Sequence, residues 1–115
     1  MTTQDLEYKA REVLRTIELL GIDFVRGSQV HNLHLQYGLD NRFYDQSVVD
    51  GANIRFRETE ARKVLRTIEI RGIDFVRKNK VHNLHLQYGL DNGLYDQSVV
   101  DDRDEQYRRK PIDYK

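Results

Sequence analysis

Four histidines and a set of repeated aspartates are the side chains in this sequence best suited to chemistry. His31 and His34 occur in a His-Asn-Leu-His run that returns as His82 to His85. Histidine binds metals and moves protons near neutral pH. The surrounding pattern reads as a strand, on which residues three apart face opposite sides, so His31 and His34 cannot grip one ion. A metal site then requires His31 with His82, or His34 with His85, meeting across a pseudo-twofold. A small metal-dependent enzyme of that kind is one alternative reading. The repeated acids are Asp23, Asp40, Asp45 and Asp50, with Asp74, Asp91, Asp96 and Asp101. Acid–base catalysis needs two carboxylates held close in unlike environments, and their spacing does not enforce this. Asp40 and Asp91 suit turns, where a carboxylate accepts from nearby backbone donors. Asp23 and Asp74 stand out because their neighbours are apolar.

Arg11, Arg15 and Arg26 reappear as Arg62, Arg66 and Arg77. Arg11 and Arg15 share one helical face, as do Arg62 and Arg66. With Lys78 and Lys80 beside Arg77, the set Arg15, Arg66, Arg77, Lys78 and Lys80 forms the nucleic-acid alternative: phosphate contacts from helix arginines and a basic hairpin tip. Glu7, Glu12 and Glu18 supply competing local partners, and the first copy lacks the basic tip. Ser47 and Ser98 have no Gly-x-Ser-x-Gly setting. The chain holds no glycine-rich phosphate loop and no cysteine, which excludes disulfides and thiolate chemistry.

The elements that must position these residues are written twice. Positions 11–50 and 62–101 agree at 32 of 40 places, at an offset of 51 residues. The eight differences cluster where turns are expected, at 27–29 and 42–43, or on exposed helix positions. Leu6, Ala10, Val13, Leu14 and Ile17 fall on one helical stripe, which predicts a helix from about Asp5 to Leu20. Ala61, Val64, Leu65 and Ile68 predict its counterpart. Gly21 and Gly72 stop the two helices in a left-handed cap. Ile22 to Arg26 is β-branched and aromatic, and Val30 to Tyr37 alternates, so the two predict a hairpin with its tip at 27–29. Asn92-Gly93 reads as a hairpin turn, leading to a third strand over 43–49 and 94–100. The junction 50–53 reads as a break, with Asn53 as a possible cap for the second helix.

At 115 residues and 33% charged, the chain has room for one small core within a heavily solvated exterior. No apolar run approaches the roughly 18 residues of a membrane helix, and Met1 to Asp5 lacks the look of a signal peptide. The expectation is a cytoplasmic protein. Net charge is zero, but residues 1–50 hold five Lys/Arg against eight Asp/Glu, whereas residues 51–101 hold nine against seven. That contrast suits two molecules or two halves meeting in one orientation.

Leu20-Gly21-Ile22-Asp23 and Arg71-Gly72-Ile73-Asp74 resemble the helix-ending motif of the LAGLIDADG homing endonucleases, which also duplicate an α-β-β unit. The resemblance covers a few residues; each unit here is far shorter and the chain is not basic, so no family is assigned from it.

The expected fold is α+β: two tandem α-β-β(-β) repeats, 1–50 and 51–101, forming one pseudo-twofold domain with an antiparallel sheet and helices on one face. Residues 102–115 are expected to be a mobile charged tail. The leading functional expectation is a non-enzymatic module that binds a protein partner or itself, the latter as a homodimer. Asp23, His34, Tyr37, Asp74, His85 and Tyr88 are its contact residues. No cofactor, metal or membrane enters that reading, and nucleic acid is the less favoured partner.

Overall fold

Thr2 and Asp5 cap each other's backbone at the start of the chain. The Asp5 amide donates to Thr2 Oγ1 and the Thr2 amide to Asp5 Oδ2, both at 3.1 Å, a reciprocal arrangement that satisfies two orphan donors of a helix start. The helix that follows, α1 (Thr3–Leu20), buries Ala10, Val13 and Ile17 along its expected stripe. In this computed structural model, which describes residues 2–110, six more helices follow: α2 (Ile22–Gly27), α3 (Gln29–Asp40), α4 (Gln46–Arg71), α5 (Ile73–Lys78), α6 (Lys80–Asp91) and α7 (Gln97–Arg109).

No strand occurs among the described residues. The expected α+β domain with an antiparallel sheet is therefore replaced by an all-helical repeat. Ile22 to Arg26 forms α2 instead of a strand, and Val30 to Tyr37 lies inside α3. The supposed hairpin tip is a helix start. Ser28 accepts the His31 amide at 3.4 Å and Asn79 accepts that of His82 at 3.0 Å, as N-cap side chains do. The supposed third strand begins as a loop and ends in α4 or α7, where Asp45 and Asp96 accept the amides of Val48 and Val99.

The Asn-Gly pair also changes meaning. Gly93 has a φ of +70°, but it ends α6 rather than turning a hairpin. The Leu94 amide reaches back to the Gly89 carbonyl at 3.0 Å, and the Gly93 amide to that of Leu90, the bond pattern of a Schellman helix stop. Arg42 does the same after α3 with a φ of +59°. A type I′ hairpin turn wants positive φ at both residues of the pair, whereas the helix stop takes it at Gly93 alone and leaves Asn92 at −101°.

The expected break at 50–53 is the interior of α4, which runs unbroken through Gly51. A helical glycine costs about 1 kcal/mol relative to alanine. Burial of Val49 and Ala52 on the same stretch offsets it. The expected tail beyond 102 contains the rest of α7, in which Asp104 is buried; residues 111–115 of it lie outside the described residues.

The chain divides into two compact units between Arg57 and Glu58, and α4 contributes to each. In the first, α1 packs on α3 and α2 on both, around Val13, Ile17, Val25, Leu35, Tyr44, Val49 and Ala52. In the second, Val64, Ile68, Val76, Leu86, Tyr95 and Val100 make the same core. Each large side chain so buried contributes about 1.5–3 kcal/mol.

Candidate contact surface

The α3 sequence, Gln29 to Asp40, has two faces. One turns Leu35 and Gly38 into the core. Gly38 lets the helix lie against Tyr44, since a Cβ there would collide with the phenolic oxygen. A neighbouring flank carries Val30, Leu33, His34 and Tyr37, spaced i, i+3, i+4 and i+7, one stripe along two turns, with the Tyr37 ring turned in against Phe43 at 5.7 Å. Val30 is 60% exposed and Leu33 63%, while His34 and Tyr37 are half-buried. On α6 the stripe recurs as Val81, Leu84, His85 and Tyr88, with Val81 at 58% and Leu84 at 61% and Tyr88 packed against the core of the second unit. In a chain that is one-third charged, α3 carries only Asp40 and α6 only Lys80 and Asp91. Val30 with Leu33, and Val81 with Leu84, thus expose apolar surface on the least charged of the longer helices.

Of the expected contact residues, His34 with Tyr37, and His85 with Tyr88, share these stripes. Asp23 and Asp74 do not belong to them. They sit exposed in the first turns of α2 and α5, where a carboxylate suits the positive helix end. Val30, Leu33, Val81 and Leu84 were missed as surface because Leu33 looked like core under a period of two. A period of 3.6 over the same residues separates Leu33 from Leu35 correctly.

His31 and His34 lie three apart on a helix, not on opposite faces of a strand. His31 Nδ1 is 2.7 Å from Ser28 Oγ and its ring lies 5.5 Å from that of Phe24. Among the described residues no group of three or more His, Cys, Asp or Glu side chains is placed to hold a metal ion. Arg15 and Arg66 are exposed and pair with Glu18 and Glu69 at 3.6 and 3.5 Å. Arg77 and Lys78 end α5 and Lys80 begins α6, so the basic run lies at a helix joint rather than on a hairpin tip.

The hydroxyls and carboxylates that repeat are used in holding the units. Tyr44 donates to the Ala10 carbonyl at 2.7 Å and Tyr95 to that of Ala61 at 2.8 Å. Burial pushes both phenols up to about 12. Ser47 and Ser98 donate to Asp45 and Asp96; with the cap amides, these bonds hold both carboxyls below the usual range. The Ile22 amide, which starts α2, is bonded by Asn53 Oδ1 at 2.9 Å, and that of Ile73 by Asp104 Oδ1 at 2.9 Å. Each of those caps comes from a residue 31 positions away.

A second repeated feature is an open groove against the loop before α4 or α7. In the first unit it measures about 750 Å³ and includes Arg11, Leu14, Phe43 and Asp45; in the second, about 590 Å³ with Arg62, Leu65, Leu94 and Asp96. No helix among the described residues is long and apolar enough to cross a membrane. The sequence matches no known family, and comparison with curated proteins and with solved structures found no similar chain.

Proposed function

We propose that the chain is a non-enzymatic protein-interaction module that offers one apolar helical stripe twice. The observation that carries this reading is the stripe Val30, Leu33, His34 and Tyr37 on α3, repeated as Val81, Leu84, His85 and Tyr88 with nearly the same exposure. Its spacing is that of anchors by which one helix lies on another. Burying a valine or leucine contributes about 1.5–3 kcal/mol, against an association cost of about 4–15 kcal/mol. One stripe alone therefore binds weakly, and two linked stripes gain from avidity. The engagement of Ser47, Ser98, Tyr44 and Tyr95 in bonds that hold the fold supports a non-catalytic role. The reading includes a cytoplasmic setting, supported by the highly charged, cysteine-free composition.

The occupant is an amphipathic helix presenting apolar side chains. Selection of displayed helical peptides against the full chain tests this. Enriched peptides should bind the wild type and lose binding when Leu33→Glu and Leu84→Glu are combined. Peptides that bind both proteins equally, or no enrichment, overturn the reading.

A further inference from the structure

The two stripes are alike, but the charges beside them are not. Lys9 and Glu12 on α1 line a narrow cleft with Val30, His31 and His34. Fifty-one residues later the same positions hold Glu60 and Lys63, so the two charges are exchanged place for place. At the start of the helix, Gly27 and Gln29 become Lys78 and Lys80. Residues 1–50 carry −3 and residues 51–101 carry +2. The repeat thus keeps its apolar surface and reverses the rim around it.

We propose that the occupant of the stripe is a second copy of this chain, with α3 of one copy lying against α6 of the other. This rests on reading the stripe as a contact surface. Around a local twofold that runs along the paired helices, so that they lie parallel, equivalent positions face one another. Setting α3 against α6 then brings Lys9 to Glu60 and Glu12 to Lys63. Setting α3 against α3 brings lysine to lysine and glutamate to glutamate, and α6 against α6 does likewise. The rim charges therefore choose the pairing, while the valines and leucines supply the buried surface. Each copy offers one helix of each kind, so every contact has a matching partner.

Sedimentation equilibrium of the full chain over a wide concentration range tests the proposal. The wild type should self-associate reversibly, and less strongly as salt rises. Leu33→Glu and Leu84→Glu should each weaken association by at least about tenfold, with an unchanged circular dichroism spectrum. Glu12→Lys and Lys63→Glu should each weaken it by about twofold to fivefold, and the double variant Glu12→Lys/Lys63→Glu should recover the wild-type value. A chain that stays monomeric, an association indifferent to Leu33→Glu and Leu84→Glu, or a double variant no better than the singles overturns it. If the chain is monomeric yet displayed helices still select the wild type over the glutamate variant, self-pairing falls and the contact surface stands.

Discussion

The first unit and the second perform the same structural tasks, in several places with different residues. Asn53 bonds the amide that starts α2; Asp104 bonds the one that starts α5. Ser28 caps α3 and Asn79 caps α6. The ring of Phe56 covers Gly21 and that of Tyr107 covers Gly72. Glu18 is bonded by Arg55, whereas Glu69 is bonded by Arg103. Arg103 corresponds to position 52, one helical turn before position 55, so the pair is kept from a neighbouring place on the same face. What persists between units is the interaction a backbone group or a half-buried charge requires, not the residue that makes it. Exposed positions follow no such demand, and there Lys9 and Glu12 change sign.

The sharpest break of this equivalence should come at the distant caps. Asn53→Ala and Asp104→Ala each strand the first amide of a short helix, at a cost of about 1–3 kcal/mol. Asp104→Ala should lie at the upper end, since it removes a charged acceptor that also pairs with Arg108 at 2.8 Å. Urea denaturation, with hydrogen exchange resolving the two units, measures both; equal costs would remove the distinction. Next in size is the helix stop. Arg42 holds a left-handed backbone that suits glycine, so Arg42→Gly should stabilise by about 1 kcal/mol and Gly93→Arg should destabilise by about 1–2 kcal/mol. Melting temperatures that move in the same direction for the two exchanges would contradict this.

The smallest effect should fall equally on both units. Tyr44→Phe and Tyr95→Phe each remove one buried hydrogen bond, worth about 0.5–1.5 kcal/mol. Both phenols titrate higher in the fold, at about 12, than their ordinary value near 10. Their contribution is complete below about pH 10 and is lost as pH rises through about 12. Stability measured against pH should fall across that window in the wild type, less in either single variant, and least in the double. An unaltered alkaline profile in the double variant would assign the loss to other groups.

Legibility in the sequence followed the distance over which each element is decided. The α1 stripe, Ala10, Val13 and Ile17, and its repeat at Ala61, Val64 and Ile68 were readable because their burial follows one helical period. The stretch from Val30 to Tyr37 was misread because Leu33, Leu35 and Tyr37 also fit a period of two. Only Leu35 of the three is buried in the core. Ser28 and Asn79 suit a turn and a helix cap alike by composition, and the structure uses both as caps. For Ile22 to Arg26 no comparable local signal existed. Two β-branched residues and a phenylalanine favour a strand, and the cap that starts the helix comes from Asn53, 31 residues away.

The sequence by itself determined the duplication, the two long amphipathic stripes and the glycines after Leu20 and Arg71. These rest on spacing and on backbone preferences that act within a few residues. Tertiary structure alone decided that the short apolar runs are helices, that α4 continues through Gly51, and which face of α3 turns inward. Those outcomes depend on groups far apart in the chain: Asn53 on the Ile22 amide, Phe56 over Gly21, and Tyr44 against Gly38. The exposed stripe becomes visible only once that inward face is assigned.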